Sequence, residues 1–202
     1  MTAPRHPSEG TGAGALHFGI AEQGKVLALA GRHREALGHY RAALHLAARA
    51  GAPQVVARHY FHCAVESLEH LGAWAEVADL CTRAIEAAPP AERSEFHRRD
   101  RAWLLERRGL ARLSAAQTGA AETGAAETGA AEADLRAALE LAGPSGAPLS
   151  AEVVGWLRSR YTIAPARLAE ARRRHGAQIV RRDSVDPSRA IPLPTSPPGD
   201  PT

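Results

Sequence analysis

The chain has 202 residues, enough for one domain with tails. Hydrophobic residues make up 45% of it but aromatic residues only 4%, which favours Ala- and Leu-rich helices and argues against a β-sandwich or barrel. The 25 basic and 22 acidic residues give a formal charge of +3, too small to indicate a nucleic-acid partner by itself.

Residues 1–14 contain Pro4, Pro7 and three glycines, without the apolar core of a signal peptide. We expect a disordered N-terminus here and a cytoplasmic protein. No run approaches the ~20 apolar residues of a membrane helix, so we expect no membrane partner. Cys63 and Cys81 lie in helical patterns without further metal-ligand spacing. Two reduced structural thiols are the favoured interpretation, and a disulfide or redox role is the alternative.

From Leu16 to Leu141, apolar and small residues recur every three or four positions, which predicts successive helices. Breaks fall at Gly31, at residues 51–53, at Gly72 and at residues 89–90. Because the links between these helices are short, neighbouring helices should lie antiparallel as hairpins.

The segment GRHREALGHYRAALHLA, from Gly31, aligns with GAWAEVADLCTRAIEAA, from Gly72, at an offset of 41 residues. With the helices that precede them, these segments resemble the tetratricopeptide repeat family, in its long-repeat form of about 41–42 residues. The resemblance implies that one set of residues packs the paired helices, with small side chains at the close approaches: Gly24, Leu27, Ala36, Tyr40, Ala43, Phe61, Leu68, Cys81 and Ala84. Gln23 and Val65 depart from the family pattern.

The fold expected from this resemblance is an all-α, right-handed α-solenoid of about three antiparallel helical hairpins with a C-terminal capping helix pair. The repeats span residues 15–142, divided as 15–50, 53–89 and 93–142. The capping helices are expected over residues 149–183, with Ser150 as an N-cap, and a disordered Pro-rich tail over 184–202. That tail is interpreted as a linker, with a ligand for a partner as the alternative.

The third repeat contains a low-complexity insert, TGAAETGAAETGAAE, over residues 118–132. Removing two of its three copies restores a spacing close to that of the first two repeats. The register of the first helix stays open, because Arg108 and Arg112 fall where apolar residues belong. One register buries Leu105 and Gly109, and the other buries a stripe of Phe96, Trp103, Leu110 and Leu113.

Helical spacing places several His and Glu residues on one side of the first helix in the second repeat. In the resembling family the first helices line a concave groove that holds a partner. The expected groove residues are Phe18, Lys25, His59, His62, Glu66, Glu69, His70, Trp103 and Glu106. An ordinary solvated helix face competes with this interpretation, and so does a metal site on the His/Glu cluster. Phe18 and Trp103 could instead be core residues.

Two Arg-rich stretches, 93–112 and 167–182, lack the interleaved aromatic residues of RNA-binding surfaces. We interpret them as solvated faces or as neighbours of the acidic third hairpin, and we do not expect nucleic acid.

The function expected from the sequence is that of a bacterial, non-catalytic adaptor or scaffold that binds a peptide or partner protein in the concave groove, with no cofactor and no metal. Self-association stays open. One alternative is an accessory subunit of a larger bacterial assembly, and another is a metal-binding or enzymatic protein that uses the His/Glu cluster.

Overall fold

The computed structural model describes residues 9–90, 94–118, 124–161 and 163–193. They form α1 (Glu9–Leu29), α2 (His33–Arg49), α3 (Gln54–His70), α4 (Trp74–Ala87), α5 (Glu95–Gln117), α6 (Gly124–Gly146), α7 (Pro148–Arg158) and α8 (Pro165–Arg174), followed by 3-10 turns at Arg182–Ser184 and Pro187–Arg189. These ranges contain no strand, so the all-α class is confirmed.

The chain divides into two compact units, and each is described by itself. Of the described residues, the first unit holds 9–71 and 179–193, and the second holds those between 72 and 178. The two helices of the predicted second hairpin, residues 53–89, fall in different units. That hairpin, the number of hairpins and the solenoid arrangement therefore remain predictions.

In the first unit, α1 packs on α2 through a glycine. A Cβ atom placed on Gly24 would lie 2.7 Å from Cε1 of Tyr40, a residue that is itself fully buried. Ile20 and Ala43 extend this contact into a small core with Tyr60. The absence of a side chain at Gly24 is therefore what lets the two helices approach.

In the second unit, α5 packs on α6 in the same manner. A Cβ atom on Gly109 would lie 2.9 Å from Cγ of Leu135 and 3.0 Å from the carbonyl oxygen of Ala131. Gly24 and Tyr40 are 16 positions apart, whereas Gly109 and Leu135 are 26 positions apart. The difference equals two copies of the repeated pentapeptide, so the insert lengthens the connection and leaves the helix contact unchanged.

Both register alternatives for α5 are partly realised, because α5 is buried on several sides. Leu105, Gly109, Leu110 and Leu113 are buried, while Phe96 and Trp103 are half-buried. Arg108 and Arg112 point to Asp134 of α6, whose carboxylate accepts hydrogen bonds of 2.6 and 2.9 Å from Arg108 and one of 2.7 Å from Arg112. The acidic partner explains why arginines stand at these positions.

Gly31 and Gly72 both follow the last turn of a helix, with φ of +76° and +69°. This left-handed conformation favours glycine and ends a helix. The two glycines aligned in the sequence thus share a backbone setting. In the described ranges, no helix combines the length and apolar character needed to cross a bilayer.

Several boundaries differ from the sequence expectation. The expected disordered N-terminus ended at residue 14, but α1 begins at Glu9; residues 1–8 lie outside the described ranges. Helix α6 begins inside the insert at Gly124, where the Thr128 hydroxyl donates to the Gly124 carbonyl over 2.7 Å; residues 119–123 are not described.

The capping helices also differ from the expected range of 149–183. Helix α8 ends at Arg174, before Gly176 with φ of +60°. Helix α7 begins at Pro148, so Ser150 lies in its first turn and is not the N-cap. Pro148 has a fixed φ and lacks an N–H group, and both properties suit a first helical position.

Two of the expected packing residues are only half-buried. Phe61 has the Arg58 guanidinium 5.2 Å from its ring centroid, and the preceding residue, Tyr60, is the one that is buried. Ala84 is half-buried on α4. The other expected packing residues, Gly24, Leu27, Ala36, Tyr40, Ala43, Leu68 and Cys81, are buried.

Candidate functional site

Residues 179–193, here called the tail segment, lie against α1, α2 and α3 in the first unit. Sequence composition predicted a disordered tail from residue 184, yet residues 184–193 follow a defined path; residues 194–202 are outside the described ranges. The backbone is extended at Arg181 (φ −123°, ψ 153°) and at Val185 (φ −121°, ψ 130°), with a 3-10 turn after each. In the structure, the groove is the surface that this segment contacts: Phe18, Gly19, Glu22, Lys25, His39 and Glu66.

At the start of the tail segment, Glu66 of α3 accepts two backbone hydrogen bonds. The N–H of Ile179 donates to Oε1 over 3.0 Å, and the N–H of Val180 donates to Oε2 over 2.8 Å. Glu66 is only 8% exposed. A buried carboxylate needs such donors, and the tail backbone supplies them.

In the middle of the groove, α1 buries an ion pair. Lys25 Nζ lies 2.5 Å from Glu22 Oε1, and the two side chains are 7% and 3% exposed. Lys25 also donates to the Ser184 carbonyl over 3.3 Å, while Glu22 accepts from the N–H of Asp186 over 2.9 Å. Each member of the pair thus has a second partner on the tail backbone, which offsets part of the cost of burying charge.

The last part of the tail segment contacts α1 at Phe18 and Gly19. The Arg189 guanidinium lies 4.2 Å from the Phe18 ring centroid, a distance typical of cation–π contact. The N–H of Ile191 donates to the Gly19 carbonyl over 2.9 Å, and a Cβ atom on Gly19 would lie 2.6 Å from Ile191 Cγ1. Gly19 therefore creates the space into which Ile191 fits.

The end of the tail segment reaches α2. The N–H of Leu193 donates to His39 Nε2 over 3.2 Å. This contact makes Nε2 the acceptor nitrogen of the His39 ring. The Leu193 side chain packs on the core formed by Ile20, Ala43 and Tyr60.

Of the expected groove residues in this unit, Phe18, Lys25 and Glu66 contact the tail segment. The others have different surroundings. His70 is exposed and stacks on His33 of α2, with ring centroids 4.2 Å apart, and Glu69 is buried in α3. His62 is half-buried. The structure thus brings three of the expected residues against the tail segment and places the others elsewhere, and the role of all of them in binding a partner stays a prediction.

Burial changes the proton affinities of groups beneath the groove. The pKa of His59 is lowered by burial and, to a smaller extent, by the nearby positive charge of Lys25 and by His62. Burial raises the pKa of the Cys63 thiol to about 12 and that of the Tyr60 hydroxyl to about 12. The neutral form of each group is favoured near pH 7, so neither the Cys63 thiol nor the Tyr60 hydroxyl is present as the reactive anion.

Trp103 and Glu106, the remaining expected groove residues, lie in the second unit. Glu106 accepts from the N–H and hydroxyl of Ser150, over 3.2 and 2.7 Å, and so caps the first turn of α7. Trp103 has the Arg107 guanidinium 5.1 Å from its ring centroid. Both residues line a cavity of about 630 Å³ between α5 and the end of α6.

The Arg-rich stretches make many contacts within the second unit. Arg174 pairs with Glu152 over 2.5 Å, and Arg167 lies 4.6 Å from the Trp156 ring centroid. Arg108 and Arg112 of the first stretch contact Asp134 in the acidic third hairpin, as one of the two interpretations expected. The partners of Arg167 and Arg174 lie on α7 instead. Among the described residues, no group of three or more His, Cys, Asp or Glu side chains is close enough to hold a metal ion.

Sequence reasoning did not find Gly19, Glu22 or His39 as groove residues. Glu22 had a usable signal, since it precedes Lys25 by three positions and shares its helix face. Gly19 had no signal that separated it from other helical glycines. His39 belongs to a second helix, which the expected groove did not include.

No protein-family model matches the chain, and neither a curated protein nor a solved structure matches it. The resemblance to tetratricopeptide repeats therefore remains a prediction from the sequence.

Proposed function

We propose that this chain is a non-catalytic interaction protein, an adaptor whose first unit binds an extended segment of a partner protein in the groove. One observation carries the proposal. Five backbone N–H groups of the tail segment donate to groove atoms: those of residues 179, 180, 186, 191 and 193. Recognition through the main chain is how proteins commonly hold extended peptides.

The character of the groove supports the same proposal. It combines buried charges that require backbone partners with an apolar end near Leu193. Binding groups of this kind are satisfied by any extended chain that supplies N–H and carbonyl groups at the right spacing. The chain's own tail segment is then one occupant of a surface that serves others.

Selection from a displayed peptide library tests the proposal. The target is the full-length chain in which Ile191→Asp and Leu193→Asp weaken the hold on its own tail. We expect enrichment of peptides whose binding is lost in Gly19→Leu, because the new side chain fills the space that Ile191 occupies. Gly38→Leu, at a helical glycine where an added Cβ atom meets nothing within 4 Å, is the matched control and should bind normally.

Enrichment of no peptide would refute the proposal. Peptides that bind Gly19→Leu and Gly38→Leu equally well would also refute it, since they would be binding elsewhere.

A further inference from the structure

The tail segment also indicates which side chains the groove accepts, an inference that rests on the proposed function. Residues 189–193 read Arg-Ala-Ile-Pro-Leu. Arg189 ends the second 3-10 turn, and the backbone is extended at the next residue, Ala190 (φ −67°, ψ 128°). The side chains of Arg189, Ile191 and Leu193 contact the groove; Arg189 and Ile191 are otherwise exposed, as is Pro192.

The first position suits a guanidinium. The Phe18 ring receives Arg189 at 4.2 Å, whereas the other nearby cation, Lys25, is 5.9 Å from the ring centroid and is neutralised by Glu22. An aromatic face attracts a cation and repels an anion. A carboxylate at this position would lose the contact.

The second position suits an aliphatic side chain. Ile191 fits over Gly19, and the adjacent backbone is fixed by the hydrogen bond from its N–H to the Gly19 carbonyl. The Arg189 carbonyl oxygen would lie 2.9 Å from a Cβ atom on Gly19, so the whole segment approaches the helix closely. On the side that faces Gly19 the contact leaves no room for water, although 38% of Ile191 stays exposed on the other side.

The third position is apolar. Leu193 packs beside Ile20, Ala43 and Tyr60, while His39 holds its backbone N–H. Burial of an aliphatic side chain against such a surface is favourable, and a charged one would be desolvated without a counter-ion.

We propose that the groove recognises extended partner segments of the pattern Arg-x-aliphatic-x-aliphatic, and that residues 189–193 are an intramolecular competitor which such a partner displaces. The occupant is thus a segment of another protein with this pattern. Because the competitor is always tethered, the affinity for an external segment is reduced by the fraction of molecules in which the groove is filled.

The test uses full-length protein and a fluorescein-labelled peptide with the sequence of residues 186–193, followed by fluorescence anisotropy. The chain with Ile191→Asp and Leu193→Asp should bind the peptide at least about tenfold more tightly than wild type. Far-UV circular dichroism verifies that helix content is unchanged.

Substitutions in the peptide make the test independent of how the protein variant folds. A peptide with Ile191→Asp should bind at least about tenfold more weakly, because a charge would be placed against Gly19. A peptide with Arg189→Glu should bind about two- to fivefold more weakly, the effect expected for an exposed cation–π contact. A peptide with Pro192→Ala is the matched control and should bind as the parent does.

Equal binding of all these peptides would overturn the proposed pattern while leaving peptide binding itself intact. Equal binding to wild type and to the tail variant would overturn the competition. A concentration-dependent dimer of the wild type, lost in Ile191→Asp with Leu193→Asp, would assign the groove to a second copy of this chain and overturn the proposed partner.

Discussion

Gly24→Ala is the sharpest test of how α1 and α2 are held together. The new methyl carbon would lie 2.7 and 2.9 Å from two ring carbons of Tyr40 and 3.2 Å from Cβ of His39. Tyr40 is fully buried, so its ring cannot move away without disturbing the core. Gly38→Ala, in α2, is the matched control, because its methyl group would meet nothing within 4 Å.

The two substitutions should change the free energy of unfolding in opposite directions. Alanine in place of a helical glycine normally stabilises by about 0.5–1 kcal/mol. Gly38→Ala should show this gain. Overpacking a filled site costs about 1–3 kcal/mol, which outweighs that gain at Gly24. We therefore expect the two variants to differ by about 2 kcal/mol in the free energy of unfolding.

Urea unfolding followed by far-UV circular dichroism measures this difference. With m-values of about 1–3 kcal/mol per molar urea, the midpoints should differ by roughly 1 M. The second unit offers an independent pair: Gly109→Ala would meet Leu135 and a backbone oxygen, whereas Gly155→Ala would meet nothing within 4 Å. If Gly24→Ala were as stable as Gly38→Ala, the close approach would not be what holds α1 to α2.

Asp134→Asn should destabilise the second unit by about 1.5–3 kcal/mol, because it weakens charge-assisted hydrogen bonds to two arginines. The control Glu132→Gln loses a more exposed ion pair with Arg136 and should cost under about 1 kcal/mol. Equal urea midpoints for these two variants would contradict the prediction. The pKa of His33 is lowered by burial and by the neighbouring His70, so the neutral ring is favoured in the folded state. The stability that this contributes above the ordinary pKa of about 6.5 is lost as the pH falls through the lowered value. His33→Gln should therefore make the urea midpoint less dependent on pH, and an unchanged pH dependence would refute the assignment. Cys63 and Cys81 are buried, and burial raises the pKa of the Cys63 thiol, so both should react with a thiol reagent only in denaturant; rapid reaction of the native protein would contradict their burial.

Helix pairing was predictable from the sequence wherever it depends on local pattern. The sequence placed Gly24 and Tyr40 among the residues that pack paired helices, and one of the two registers left open for α5 buried Gly109. In the structure Gly24 lies against Tyr40, and Gly109 lies against Leu135. Such contacts leave a periodic trace because helix geometry repeats along the chain.

The arginines of α5 show why the apolar pattern of the sequence did not settle which side of this helix is buried. Arg108 and Arg112 stand where apolar residues were expected, and only the position of Asp134 explains them. A partly buried ion pair and an apolar contact can fill the same place in a helix interface, but only the apolar contact belongs to the expected pattern.

The occupied groove could not be predicted. Glu22 and Asp186 are 164 residues apart in the chain, and Glu66 and Val180 are 114 apart. Their hydrogen bonds involve backbone N–H groups, which every residue except proline carries. The residue types of the tail therefore do not predict them. A Pro-rich composition predicts an extended chain but does not say where that chain lies.

The buried Lys25 has a practical consequence, since it is the single lysine of the sequence. Its ammonium group is held by Glu22 and by the carbonyl of Ser184, and the residue is only 6% exposed. An acylating reagent that modifies lysine amines can reach this one only when the covering backbone moves away. The fraction of molecules that carry the acyl group on the Lys25 fragment, followed over time, would therefore report the rate at which the cover opens.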